Sequence, residues 1–296
     1  MVKQLPPRNI ALLSVLASIL TLALKFGAYL LTSSIGFYSD AAESLINLVA
    51  SLATVWAISI ASRPADDKHS YGYDKAEYFA SGFEGSLIIV AAISIIVSAI
   101  NRFQSPQKLD YLPVGMLVVT VASLINFVVA KIMLKGAKLF DSIALEADAK
   151  HLMTDIWTSL GVTIGVGIIY FIPEWVILDP IIAILVALNI MCSGYSLIKR
   201  SVLGLMDRSL PEDELQTIDQ TIRESAGDGV HYHGLRTRKS GVRRFIDFHM
   251  LVSGQKSVKE AHDLCCKIEE NIQKRLPNAH VNIHVEPKED KSAWED

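Results

Sequence analysis

The sequence predicts a membrane α-helical protein: a six-helix bundle followed by a small αββαβ domain outside the bilayer. Three observations carry this. Six apolar segments, each long enough to cross a bilayer, all lie before residue 200. Lys and Arg gather at alternate ends of those segments. From about residue 208 the long apolar runs stop and a polar, short-period pattern begins. Bulk composition is a weaker guide: 51% of the 296 residues are apolar and mean hydropathy is +0.34, near the upper edge of the globular range. The formal charge of -3 leaves no basic footprint for nucleic acid.

The six spans are expected at about 9–31, 37–61, 78–101, 111–134, 147–172 and 178–198. Each supplies about 20 mostly apolar residues. Their length and lack of alternation exclude a transmembrane β-barrel. The connectors are short and polar or Pro/Gly-bearing, as in Thr32–Gly36, Ser105–Gln107 and Pro173–Glu174. One side carries Lys3 and Arg8, Arg63, Lys68 and Lys75, Lys135 and Lys138, then Lys199 and Arg200; the other shows only Arg102 and Lys108. The positive-inside rule therefore puts both termini in the cytosol of a multi-pass protein. The first apolar run is too long for a signal peptide and lacks a clear small-residue cleavage site, so it reads as a retained helix.

The domain boundary is expected at 207/208, with a membrane domain over 1–207 and a cytosolic one over 208–296. Within the latter, Pro211–Ala226 reads as a helix with Pro near its start. Val230–Arg238 and Arg243–Val252 read as strands around a Ser-Gly turn. Val258–Arg275 reads as an amphipathic helix and Val281–Val285 as a closing strand. This αββαβ order suggests a helix pair on a small sheet, of the ferredoxin-like, metallochaperone-like kind. The charged tail after Pro287 is expected to be disordered. The three cysteines, Cys192, Cys265 and Cys266, are odd in number and partly adjacent. They argue against a disulfide framework and fit a reducing compartment.

Ionisable groups inside membrane spans are costly, and their default reading is functional. The second span carries Asp40, Glu43 and Asn47; the fifth carries Asp148, His151 and Asp155. Both sets have i, i+3, i+7 spacing, which places each on one helical face. The local sequences resemble each other, as expected of an internal repeat lining a transporter site. Glu43, Asn47, His151 and Asp155 offer three oxygens and one imidazole nitrogen, a set suited to a tetrahedral divalent metal. With His neutral, its two negative charges balance the dication. The same groups bind protons, so metal and proton compete. The competing reading is a buried hydrogen-bonded cluster joining two helices. Glu84, in the third span, either assists proton movement or pairs with a neighbour. Lys25, in the first, is expected to snorkel outward. Asn126, in the fourth, is expected to make a helix–helix hydrogen bond.

Outside the spans, Asp66 and His69 lie in a charged loop where a shared surface metal and a solvated loop are equally good readings. The polar domain carries His231, His233, His249, His262, His280 and His284, with Glu286 two residues after His284. In a strand, i and i+2 face the same way, so His284 and Glu286 converge. Histidines on three predicted strands and one helix suggest a shared metal cluster. His231 and His280 read as surface residues, and Cys265 and Cys266 as core packing rather than ligands.

Taken in order, Ser39-Asp-Ala-Ala-Glu-Ser-Leu, Arg63-Pro-Ala-Asp-Asp-Lys-His-Ser-Tyr-Gly, Lys75-Ala-Glu, Glu146-Ala-Asp-Ala-Lys-His-Leu-Met-Thr-Asp, Leu205-Met-Asp-Arg, Gly234-Leu-Arg-Thr-Arg and Ile283-His resemble the cation diffusion facilitator family, in particular its bacterial zinc/iron-type members. The resemblance covers nearly the whole chain. It implies a homodimer in the bacterial inner membrane that exchanges one cytosolic metal ion, zinc first, then ferrous iron or manganese, for protons by alternating access. It implies a transport site at Glu43, Asn47, His151 and Asp155, a loop site at Asp66 and His69, and a two-metal cytosolic cluster at His233, His249, His262, His284 and Glu286. It also implies that Lys75 and Asp207 form a charged pair joining the membrane and cytosolic parts of the dimer.

The sequence departs from the family pattern in four places. Relatives mostly carry aspartate where Glu43 and Asn47 stand, often histidine where Tyr73 stands, and aspartate where Glu286 stands. The neutral Asn47 bears on metal preference and proton count, and Asp40 is a candidate outer-shell or direct ligand in compensation. Two other classes compete with an exporter. A membrane-anchored metal sensor without transport has no use for Glu43, His151 and Asp155 inside the bilayer. A membrane hydrolase would need a nucleophile–base arrangement, and the sequence offers none.

Overall fold

A computed structural model describes the backbone of residues 6–32, 35–104, 112–171, 178–227 and 230–294. Side chains at 31–40, 42–43, 102–113, 162, 165–180, 182–183 and 186 are outside the described set. The chain forms two compact units, Met1–Val202 and Leu203–Asp296.

The first unit is built from α1 (Pro7–Thr32), α2 (Ile35–Ala61), α3 (Ala76–Gln104), α4 (Leu112–Phe140), α5 (Ile143–Phe171) and α6 (Leu178–Leu205). Among the described residues, four stretches are long and apolar enough to cross a membrane: Pro7–Leu30, Ser44–Ala61, Ala76–Asn101 and Val114–Phe140. Much of α5 and α6 carries side chains outside the described set. Two helices outrun the predicted spans: α4 continues to Phe140 and α6 to Leu205. Lys135, Lys138, Lys199 and Arg200 end the apolar run but not the hydrogen-bonded helix, because hydropathy marks hydrocarbon and not helix ends. Conversely, α5 begins four residues before its predicted span. Ser142 caps it, its hydroxyl accepting the Leu145 amide at 3.3 Å. Glu77, from α3, takes the Ser142 hydroxyl at 2.6 Å and adds a negative charge at this helix start.

The first unit is patterned inside-out. On α1, Ser14, Ser18, Thr21 and Lys25 form one fully buried stripe, while Leu16 and Leu30 are 63% and 65% exposed. On α2, Ser44, Asn47, Ser51 and Thr54 form a second buried polar stripe, and Trp56 is exposed. Asp148, His151, Asp155 and Ser159 form a third, on α5. Polar faces inward and leucines outward suit hydrocarbon surroundings, where apolar exposure has no cost. Apolar packing between the helices is confined to small layers such as Ile10, Ala57, Met133, Leu145 and Leu152. Where α3 meets α6, Gly85 and Gly194 touch through their backbones: a Cβ on either would lie 2.9 Å from the other's carbonyl oxygen.

The second unit holds α7 (Glu212–Ala226), β1 (His231–Ser240), β2 (Arg243–Val252), α8 (Val258–Arg275) and β3 (Ala279–Pro287). This is the expected αββαβ order. The sheet runs β1-β2-β3, with β1 antiparallel and β3 parallel to β2. Gly241 closes the hairpin at φ 56°, a left-handed conformation cheap only for glycine. The helix α8 starts with a capping box between Ser257 and Glu260. Both helices pack on one sheet face: Ile218 and Ile222 of α7 and Ile268 and Ile272 of α8 meet Ile246, Phe248, Met250, Val281 and Ile283. Strand alternation then leaves His249, His284 and Glu286 on the opposite, helix-free face. The tail, expected to be disordered, is folded through residue 294. The Lys288 amide extends the strand pairing to the Val252 carbonyl at 2.8 Å, and Glu289 accepts the Gly254 amide at 2.8 Å. A short 3-10 helix, Lys291–Trp294, follows, tied back by the Trp294 indole N–H on the Lys288 carbonyl at 2.9 Å.

Candidate metal centres

The centre of the first unit lies where the polar stripes of α1, α2 and α5 meet. His151 Nε2 and Asn47 Oδ1 are 2.5 Å apart, joining α5 to α2. Both residues are buried. His151 lies near the start of its predicted span and within the helix that begins at Ile143, and it meets Asn47 in the body of α2. The Asn47 amide nitrogen and His151 Nδ1 have no hydrogen-bond partner among the described residues. Asp155 lies one turn further along the same face of α5. The side chains of Glu43 and Asp40, the other members predicted for α2, are outside the described residues.

Lys25 departs from the expectation that it snorkels. It is 0% exposed, and its Nζ lies 2.8 Å and 3.0 Å from the two carboxylate oxygens of Asp155, and 3.3 Å from Ser159 Oγ. The reason is its place on the Ser14–Ser18–Thr21 stripe, which aims the side chain at α5 rather than along lipid. A second donor, the Asn126 amide of α4, reaches Asp155 Oδ2 at 2.6 Å, the predicted helix–helix hydrogen bond. Removing one partner of such a buried pair costs about 3–5 kcal/mol.

Beside this centre is a layer that spacing alone did not reveal. Ser51 Oγ lies 3.1 Å from Asp148 Oδ1, 2.8 Å from Ser14 Oγ, and 2.9 Å from the Asn47 carbonyl. Thr54 donates to Glu84. One oxygen each of Asp148 and Glu84 has no partner among the described residues. The layer abuts the Asn47–His151 pair through the Asn47 backbone. A polar residue at every turn of α2 was the clue available in the sequence; which carboxylates it would meet depends on helix packing.

In the loop before α3, Asp66 and His69 come together, with Asp66 Oδ1 3.5 Å from His69 Nδ1. Tyr73 occupies the third place and donates its hydroxyl to Asp66 Oδ2 at 2.6 Å, its ring 4.2 Å from that of His69. The Tyr73 hydroxyl, then the His69 amide, hold the Asp66 carboxyl below its ordinary range. One oxygen of Asp66 is thus committed to a donor that a metal ion would have to displace.

The second unit brings most of its predicted ligands to one patch. Strand register sets His233 opposite His249, and His249 beside His284, with ring centroids 5.0 Å and 4.9 Å apart. Glu286 stands two residues along β3. Its carboxylate lies 3.0 Å from His233 Nε2, 3.3 Å from His249 Nδ1 and 3.6 Å from His284 Nε2. The ligand atoms of His233, His249 and Glu286 lie within 4.8 Å of one another, a spacing that can hold a metal ion. Gly234, at φ 60°, begins a bulge in β1 between His233 and Arg236, and so fixes where His233 stands against β2.

His262 does not join the patch within one chain. It is exposed on α8, which packs on the other sheet face, and it lies 3.5 Å from Cys266 Sγ. Cys265 packs against the core, as expected, and burial pushes its thiol up. Cys266 is beside His262 instead. His231 and His280 are exposed and pack on Trp294 and Phe245. Asp207 Oδ1 lies 3.4 Å from Arg238 within its own unit, and Lys75 immediately precedes α3 in the other.

The family described as cation efflux transmembrane domain matches residues 11–206, and that described as cation efflux protein, cytoplasmic domain, matches 210–288. The chain is 44% identical to an uncharacterized transporter of Synechocystis sp. over 288 residues, covering 97% of this chain and 93% of that protein. It is 28% identical to the cation-efflux pump FieF of Escherichia coli O1:K1 over 269 residues, covering 90% and 88%. The metal-bound C-terminal domain of the CzcD transporter from Thermotoga maritima aligns with 28% of this chain and 99% of its own, at 34% identity and a TM-score of 0.25. An apolar helical unit with buried polar stripes, a histidine-lined sheet and family matches over both units lead to one assignment: the chain belongs to the cation efflux family, the cation diffusion facilitators, membrane proteins that move metal cations.

Proposed function

We propose that the protein is a homodimeric, proton-coupled antiporter that exports a divalent transition-metal ion, zinc first and ferrous iron or manganese next, from the bacterial cytoplasm. The observation that carries this reading is the pairing of His151 with Asn47, with Asp155 a turn away, deep inside a unit whose outer surface is apolar. Such groups are expensive in a bilayer, which supports a functional reason for placing them there. His151 supplies an imidazole nitrogen, Asn47 a carbonyl oxygen, and Asp155 and Glu43 carboxylates, which makes four ligands for a tetrahedral ion. The ion binds only their deprotonated forms, so each proton that arrives from outside favours its release. The buried carboxylates Asp148 and Glu84 offer a route for those protons beside the site. Asp40 supports α2 as an outer-shell group or a further ligand.

In this reading all six helices of the first unit span the inner membrane, both termini are cytosolic, and the cytosolic domain begins near residue 208. The cluster at His233, His249, His284 and Glu286 binds metal structurally, and His262 completes it from the second copy of the chain. Metal there favours the tight dimer by population shift. Lys75 and Asp207 pair between the membrane and cytosolic parts of that dimer. Asp66 and His69 form a weaker loop site because Tyr73 holds the carboxylate.

The test is metal flux and pH change in vesicles carrying the purified protein, with zinc, ferrous iron, manganese and cadmium in competition. Wild type moves metal one way and protons the other, whereas Asp155→Ala moves neither. An Asp155→Ala variant that transports like wild type overturns the site.

A further inference from the structure

Among the described residues, Lys25 is a fully buried ammonium that joins the polar stripe of α1 to that of α5, and the proposed mechanism does not use it. Its Nζ contacts both carboxylate oxygens of Asp155, at 2.8 Å and 3.0 Å. Asn126 adds a second donor, on Oδ2 at 2.6 Å. The carboxylate is thereby neutralised by a cation covalently tethered to α1. A dication that takes Asp155 as a ligand has to share or displace that ammonium, since the two positive charges would otherwise stand a few ångströms apart in a medium of low dielectric. The stem of lysine is flexible and its ammonium is a point charge with three rotatable donors. Ser159 Oγ, one turn beyond Asp155 on α5 and already 3.3 Å from Nζ, offers an acceptor onto which the head group can move.

We propose that Lys25 is a specificity-determining residue: a tethered cation that competes with the transported metal for Asp155, lowering the affinity of the site and speeding release. The site keeps the carboxylate that a metal needs, yet the ammonium returns to it as the metal departs, so Asp155 is never left as a bare buried anion. The charge count agrees. Glu43 and Asp155 supply two negative charges, Asn47 and neutral His151 none, and Lys25 cancels one, which leaves the site one negative charge short of balancing a dication. This favours a site of moderate affinity and rapid turnover over one that traps its ion.

The inference rests on Asp155 being a transport ligand, and the experiment separates the two. Zinc transport into vesicles is measured as KM and kcat for wild type, Lys25→Met, Lys25→Arg and Asp155→Ala. The expected result for Lys25→Met is a KM lowered by at least about tenfold together with a lower kcat, because binding tightens and release slows. Lys25→Arg, whose planar fork grips a carboxylate through two bonds, is expected to raise KM. A residue needed only for packing would lower kcat or the folded fraction without lowering KM. If Lys25→Met does not yield folded protein, judged by gel filtration, Lys25→Gln makes the same test, since it keeps a donor of similar length without the charge. A KM at or above the wild-type value in the uncharged variant, with wild-type transport abolished by Asp155→Ala, overturns the competition and leaves the transport site standing. Wild-type rates in Asp155→Ala overturn the transport site itself.

Discussion

In the proposed transport site Asn47 is a neutral ligand, and its amide oxygen lies 2.5 Å from His151 Nε2. An amide oxygen binds a dication more weakly than a carboxylate does, and the difference grows where water is excluded. Asn47→Asp is therefore expected to lower the KM for zinc by about tenfold, measured as vesicle uptake with iron and manganese as competitors; an unchanged KM would mean Asn47 does not touch the ion. Legibility at this scale was uneven. The burial of His151 and Asp155 on one face of α5 was legible, because an acid and an imidazole at helical spacing among leucines have to face inward. Lys25 was misread, because a lone lysine in an apolar run looks the same whether it reaches for lipid headgroups or for a carboxylate. The stripe Ser14–Ser18–Thr21–Lys25 held the answer: three small hydroxyl residues on one helical face point inward in a bilayer, and the lysine continues their row.

At the scale of elements, helix contacts depend on small residues and sheet chemistry on register. The Gly85–Gly194 contact lets α3 and α6 approach at backbone distance, and a Cβ at Gly194 would also meet Ile89 Cγ1 at 2.9 Å. Backbone cannot move aside cheaply, so Gly194→Ala is expected to lower the midpoint of thermal denaturation in detergent, with a cost of about 1–3 kcal/mol as for other overpacked contacts. The strands were legible to the residue for β2 and within two residues at each end of β1 and β3, since their alternation is set by one buried face, and this put His284 and Glu286 side by side in advance. Register was not: the row His233–His249–His284 depends on which strand neighbours which, and on a bulge at Gly234. The tail was misjudged because its charged composition hid three local anchors, at Lys288, Glu289 and Trp294.

At the scale of the whole molecule, the account predicts a dimer whose stability responds to metal through the sheet. A ligand that binds only the folded state at 100 times its Kd stabilises by about 2.7 kcal/mol. Zinc at micromolar excess is expected to raise the denaturation midpoint of the full-length protein and to shift its sedimentation toward the dimer. Glu286→Ala, which removes the carboxylate shared by three histidines, is expected to abolish the shift toward the dimer and to leave only the smaller midpoint rise that the α2–α5 site supplies; a zinc-dependent dimer shift that survives this change would move the structural metal elsewhere. The division into an apolar helical unit and a polar sheet unit was plain in the sequence, because hydrocarbon and water select opposite surfaces. The meeting of α1 with α5 was not, since hydropathy ranks helices by apolarity but does not pair them.

The central claim is that a metal ion is held between α2 and α5, and counting ions tests it most directly. Purified wild type and His151→Ala are dialysed to equilibrium against the same saturating free zinc, and bound zinc per chain is measured with the free ion still present. The account predicts one ion fewer per chain in His151→Ala, with the metal of the sheet cluster retained in both. Equal zinc content in the two proteins would contradict it.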